Sequence, residues 1–500
     1  MNTSSQTHRL SGSIVIMLAA IISAACSDNV SGSGLEFGDK TITVRSGGDL
    51  QAAIDRAAPG DTILLEAGAT FAGSFKLPNK PGNKFITIRS NAPDKDLPAD
   101  GERIDPNKYS SRLPKLVSNA RGEPALLAVD GAHHFRFVAV EFGPTIGGLY
   151  DIIKLGTGQE RSVAELPHHI EFDRVWVHGH PDEGQRRGIA ANGRHIRIVN
   201  SYISDIKRKG DESQGIAVWA TDGPVEIVNN YIEAAAENIL FGGAGSFLKL
   251  VPTDCVVESN HLSKPVAWKG DDWVVKNLFE IKNGRRIKVT NNLMTNNWAM
   301  GQDGFGILFT TRADNGNATV IEDIEFTGNI VRGSGGGLNI LGNEGAGGHR
   351  LVIRNNIFDD IDGKKWGGAG HFMKVTDWNG LVFESNTIVH SGNITVAYDK
   401  PVRGFVFKNN IVQENEYGFF GDGLGSGQPA MDKYFPGGTV AGNLIVGGEK
   451  ERYREPNLFA RSLDEVGFRD RANGDLRLRP GSRFAPSVGA NLDPATVGRK

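Results

Sequence analysis

An acid and a base stand two residues apart in LFEIKN, Leu278–Asn283: Glu280 and Lys282. Thirty residues later the stretch GILFTTR, Gly306–Arg312, closes on Arg312. If both stretches are strands, alternate residues share a face. With Phe279 and Ile281 inward, Glu280 and Lys282 point out, and one coil on so do Leu308, Thr310 and Arg312. That set suits removal of a proton α to a carboxylate. Such a proton is feebly acidic, so it needs a base whose pKa is pulled down by cationic neighbours and positive charge to hold the developing enolate. Lys282 is the expected base, in the field of Arg285, Arg286 and Arg312. Arg312 is expected to neutralise or protonate, and Glu280 to position. The segment NNWAMGQDGFG, Asn296–Gly306, is the expected wall of a binding cleft. Its Asn297, Trp298, Gln302 and Asp303, with Arg285 and with Asn339 of LNILGN, are the expected substrate contacts.

Such a pair meets only if successive strands are stacked one coil apart, and the chain carries the repeat this needs. A short β-branched run, then Asn, then a large apolar residue recurs nine times between Ile196 and Ile445. Aligned, the column reads Ser201, Asn230, Asn260, Asn292, Asn329, Asn356, Asn386, Asn410 and Asn443, at intervals of 24 to 37 residues. Repeats of that length with short strands and no helical period mark a parallel β-solenoid, whose coils bury an apolar face only by stacking. Asn tolerates the left-handed backbone of a sharp turn, and its amide can bond to the Asn one coil away. The 65 glycines in 500 residues fit many tight turns. Near the start, Leu50, Ala53, Ile54 and Ala57 have helical spacing, so Asp49–Ala58 is expected to cap the first coil.

From PGDTILLEAG, Pro59–Gly68, followed by ITIRSN, Ile86–Asn91, the chain resembles right-handed parallel β-helix proteins of the pectate-lyase superfamily, over roughly residues 41–447. It looks most like polysaccharide lyase family six, the chondroitinase B and alginate lyases, and like related exported bacterial β-helix proteins. The resemblance implies an all-β chain: one right-handed parallel β-helix with a short N-terminal capping helix and an irregular C-terminal strap. It further implies a lysine base, an arginine acid one coil later, and often a calcium ion held by Asn and Glu residues. Carried onto this sequence these are Lys282, Arg312 and the trio Glu237, Asn238 and Glu280. The family's strand has two acids upstream of the lysine and an R-H-G phrase at the arginine; here one acid precedes Lys282 and that phrase is missing.

Composition bounds the rest. Hydrophobic residues at 39% and charged residues at 23% exclude a disordered chain, and a net charge of 55 − 58 = −3 gives no basic surplus for nucleic acid. The apolar run Ser11–Ala25 behind His8-Arg9 reads as a signal-peptide core, so residues 1–25 are expected to be a signal peptide. Cys26 then sits where a lipobox cysteine would, a tether to a membrane, followed by a polar stretch to residue 40. The β-helix is expected over 41–447 and the strap over 448–500, with a mobile end after Pro486. The expected product is an exported, monomeric lyase of an acidic polysaccharide: outer-membrane lipoprotein, periplasmic or secreted. Two alternatives stand beside it. A glycoside hydrolase needs paired carboxylates, for which Asp271, Asp272 and Asp303 are available; a non-catalytic carbohydrate-binding solenoid needs none. His168, His169, His178 and His180 with Asp173, Asp182 and Glu183 suit a metal, but the recurrence of HH one coil earlier, at His133-His134, favours a structural turn.

Overall fold

In the computed structural model, residues 39–312, 319–486 and 488–500 are described; the expected signal peptide and Cys26 lie outside them. Each coil contributes one strand to each of three sheets. In one coil these are Arg194–Val199, Tyr202–Ile206 and Gln214–Val218, in the first, second and third sheets. Among the described residues the sheets hold 15, 14 and 13 strands, paired in parallel along the stack except for the antiparallel pair of Phe419–Gly421 with Gly425–Ser426 at the end of the third sheet. The protein is an all-β parallel β-helix.

The alternation of side chains explains the core. In the first sheet the inward column runs Ile198, Ile227, Val257, Val289, Phe326, Ile353, Phe383 and Phe407, each opposite the next and each fully buried. β-branched and aromatic side chains fill such a column because strands about 4.8 Å apart hold them in van der Waals contact. Cys255 belongs to the same core, where burial pushes its thiol up to about 12. The helix Leu50–Arg56 buries Leu50, Ala53 and Ile54, and Asp49 caps it by accepting from the Ala52 amide at 2.9 Å.

The asparagine column is a continuous ladder. The backbone N–H and side-chain Nδ2 of Asn260 both donate to Oδ1 of Asn292, and those of Asn292 to Asn329, at 2.9–3.0 Å. Asn457 closes the ladder after Asn443, and Leu458–Ala460 pairs with Leu444–Val446, one rung past the repeat legible in the sequence. The left-handed backbone falls one residue earlier than expected, at Asn200, Asn229, Ser259, Asn291, Asn355, Ser385 and Asn409, with φ between 51° and 57°. The ladder asparagines are thus the residues the corner points inward.

The end of the chain is tied down, contrary to the mobile tail expected after Pro486. It runs back over those same corners: Gly489 N–H donates to Asn409 O, Asn491 to Asn355 Oδ1, Gly498 to Asn291 O and Lys500 to Asn229 Oδ1. Ala490 and Val497 are buried with Ile330 and Ile357. Burial of these apolar side chains, with backbone bonds at several coils, offsets the entropy cost of ordering the tail.

Candidate functional site

The third sheet brings Glu237–Phe241, Asn277–Ile281, Phe305–Thr310 and Gly336–Leu341 side by side. Ile239, Phe279, Ile307 and Leu338 point into the core, and Leu240, Glu280, Leu308 and Asn339 form the outward column. Lys282 follows its strand directly, and Arg312 lies two residues beyond Thr310, with its amide 3.4 Å from Lys282 O. Both line one cleft of about 480 Å³, together with Glu212, Lys276 and Glu280. Gln302 and Asp303 form part of its wall, and Asn339 its far end.

Glu280 is held from three sides. Its Oε1 accepts from Thr310 Oγ1 at 3.1 Å and lies 3.9 Å from Lys282 Nζ, while Oε2 accepts from Asn277 Nδ2 at 3.0 Å. The pair is not a solvated surface pair: the Glu280 side chain is 2% exposed and that of Lys282 16%. Glycines at 242 and 243, with φ of 82° and 80°, let Lys282 lie across the preceding coil. A Cβ on Gly243 would stand 3.3 Å from its Cδ and 3.5 Å from its Nζ. Arg312 sits at the rim, more than half exposed and 2.9 Å from Glu344.

A second cation sits in the floor. Lys276 Nζ lies 2.5 Å from Glu212 and 3.0 Å from Glu237. Burial depresses its pKa, but the Glu237 and Glu212 carboxylates outweigh that, and the net shift is upward, so Lys276 stays an ammonium. Burial pushes the Glu237 carboxyl up, with Lys276 opposing. Glu237 also accepts from Gln214, which binds Arg187, which binds Asp151, a polar line running three coils down the same face.

Several expected contacts lie elsewhere. Arg285 and Arg286 turn onto the first sheet, where they pair with Glu322 and Asp254, so the field at Lys282 comes from Lys276 and Arg312 instead. Asn297 is fully buried and spends its Nδ2 on the Gly304 and Phe305 carbonyls, fixing the turn that presents Gln302 and Asp303. Trp298 is buried with Trp268, Trp273 and Trp366, an anchor for loops and not a platform for a sugar ring. Asn238 faces the interior, where its Oδ1 accepts from the fully buried Lys264. Asp271 and Asp272 do not line the cleft; Asp303 does.

The expected calcium trio therefore does not form. Calcium takes six to eight oxygens, but Asn238 points away, Glu280 already accepts from Thr310 and Asn277, and a lysine ammonium sits against Glu237. Lys276 and Glu212 were missed at the sequence level. A signal existed for Lys276: at the same height in the two coils before it and the two after it stand Ser213, Ala236, Gly304 and Gly335, all small, and the next cation in the column is Arg186, three coils back. Glu212 comes from a loop and has no such column.

No family model and no curated protein matches the chain. Among solved structures, it is similar to the PL6 family alginate lyase AlyGC at 16% identity and a TM-score of 0.56, covering 92% of this chain and 58% of that one. A PL6 family polysaccharide lyase from Pseudopedobacter saltans matches at 13% identity and a TM-score of 0.45, over 90% of this chain and 99% of that one. A thermostable GH87 α-1,3-glucanase from Streptomyces thermodiastaticus matches at 12% and 0.46, over 84% and 68%. The first of these likenesses defines the class of fold, the parallel β-helix. This chain spans little more than half the length of that alginate lyase, and at such identity the likeness speaks for fold alone.

Proposed function

We propose that the chain is an exported polysaccharide lyase that cleaves a uronic-acid-containing polymer by β-elimination in the cleft over Lys282. One observation carries this reading: Lys282, nearly buried against Glu280, opens into the same cleft as Arg312 on a long flat sheet that suits an extended polymer. Lys282 takes the proton α to the uronate carboxylate. The C–H electrons form the new double bond, and the glycosidic oxygen on the β carbon leaves with its electron pair. Arg312 at the rim neutralises or protonates that oxygen. The carboxylate must itself be neutralised for the proton to leave, and Lys276 supplies the charge once the substrate displaces the half-exposed Glu212 from it. In this reading no calcium is needed, because an ammonium already stands against Glu237. The apolar run Ser11–Ala25 supports export, Cys26 a lipid tether, and the lack of basic surplus a glycan and not a nucleic acid as partner.

Hydrolysis is the competing chemistry, favoured by the presence of both Glu280 and Asp303 in the cleft. A panel of uronate polymers, alginate among them, separates the two. The expected result is ultraviolet absorbance from unsaturated uronate ends with wild type and its loss in Lys282→Ala. New reducing ends without that absorbance would assign a hydrolase, and a fully active Lys282→Ala would remove the site.

A further inference from the structure

Five imidazoles stack on the outside of the first sheet, far from the chemistry proposed above. His133 pairs with His168 in register, and their rings stack at 4.5 Å; His134 and His169 stack at 4.6 Å, and His169 and His195 at 4.4 Å. The cause is a left-handed residue at the start of each strand. His134, His169 and His195 have φ of 56°, 52° and 53°, so two consecutive side chains project to the same side before alternation resumes at Phe135, Ile170 and Ile196. Such a conformation is uncommon outside Gly, with Asn, Asp and His the side chains that adopt it most readily, and the histidines hold it on three successive coils.

The result is convergence of ring nitrogens. Nδ1 of His133 and Nδ1 of His134 lie 2.7 Å apart, and one coil on those of His168 and His169 lie 2.8 Å apart. Ligand atoms of His133, His134 and His168 all fall within 4.8 Å of one another, the sole such group of three among the described residues. The grouping differs from that read in the sequence: His178 belongs to the second sheet, where it bonds Glu141 at 2.9 Å. Neutral imidazole is the form that binds metal. The ladder is bounded by Phe85 at one end and by Arg194, paired to Asp222, at the other.

We propose that this ladder is a site for one first-row transition-metal ion, bound by His133, His134 and His168, with His169 on the same ladder. All-imidazole donors suit Zn²⁺, Ni²⁺ and Cu²⁺ and not calcium or magnesium. With metal–nitrogen bonds of about 2.0–2.1 Å, tetrahedral ligands stand about 3.3 Å apart, so the His133–His134 pair opens from 2.7 Å by about half an ångström and His168, within 4.8 Å of both, adjusts to the same spacing. The imidazole that now donates through Nδ1–H shifts its proton to Nε2, so no proton is released on binding. The ion would clip consecutive coils near the capped end.

The test titrates untagged full-length chain with Cu²⁺, Ni²⁺ or Zn²⁺ alone. One equivalent is expected to remain bound against a millimolar excess of free imidazole, to raise the melting temperature, and, for Cu²⁺, to show nitrogen superhyperfine splitting from several imidazoles. His133→Ala/His168→Ala is expected to lose all three, and His178→Ala none. If the double variant is misfolded by circular dichroism, His134→Asn, which keeps a residue tolerant of the left-handed backbone, replaces it. No retained equivalent, or one retained unchanged in the folded ladder variant, overturns the proposal. Because the readouts are binding and spectra, failure here leaves the lyase reading untouched.

Discussion

Two columns of one solenoid, each contributing one residue per coil, have opposite characters. The asparagine ladder repeats a single residue type, fully buried, with donors and acceptors matched from one coil to the next. The outward column of the third sheet changes at every rung: Ala217, Leu240, Glu280, Leu308, Asn339, Lys374. A repeated polar residue satisfies itself along the stack and leaves nothing for a ligand. A polar residue interrupting an apolar column must find partners sideways or from a substrate. The buried Asn339 Oδ1, which has no protein partner, is of that second kind. In a stacked fold, chemistry is to be sought where the repeat breaks.

The comparison can be broken first at Lys282. Lys282→Ala is expected to lower kcat on the cleaved polymer by ~10²–10⁴-fold while costing less in denaturant unfolding than a ladder variant, because Glu280 keeps its bonds to Thr310 and Asn277. The ladder predicts the reverse. Asn292→Ala leaves the Asn260 amides and the Val257 carbonyl unpaired in the core, which costs about 2–4 kcal/mol in denaturant unfolding. A variant as stable as wild type would show the ladder to be decorative. Between these lies Lys276: chelation with EDTA is expected to leave the rate unchanged, and Lys276→Met to lower kcat/KM about tenfold. A loss on chelation restored by calcium would return the metal to the site.

The smallest expected effect concerns the columns that titrate. His261 and His390 are buried and held down to about 4, as are His134 and His168 on the ladder. The ordinary value is 6.5, so between there and about 4 the unfolded chain binds more protons than the folded one. Stability should be complete above that window and fall as pH falls through it, by a few degrees of melting temperature. The Asn ladder carries no charge and cannot contribute. A melting temperature that is flat through the window would contradict the burial argument.

Much of the architecture was legible because it is periodic. Eight asparagines and the strand before each one define the stacking and the third sheet, and from these Glu280, Lys282 and Arg312 could be placed on one face. The aperiodic parts were not legible. Arg285 and Arg286 follow Lys282 in the chain, but a turn at Asn283-Gly284 sends them to another sheet. Trp298 was expected among the substrate contacts because a lone Trp in a loop gives no hint that three others converge on it. Asn238 looked like a ligand because the family resemblance puts a calcium asparagine on the coil before the lysine. The chain bends there, so that Asn238 and Ile239 both face inward.

What the sequence determined by itself is the solenoid, its inward columns and its ladder, since each follows from a spacing repeated many times with the same physical reason. What only the tertiary structure decided is which side chains from distant coils and loops share a space. Glu212 meets Lys276 across 64 residues, His133 meets His168 across a coil, and the tail from Gly489 to Lys500 returns to bond four corners, at Asn409, Asn355, Asn291 and Asn229, laid down long before it. Those meetings depend on loop paths and bends that occur once each, and a single occurrence leaves no period to read.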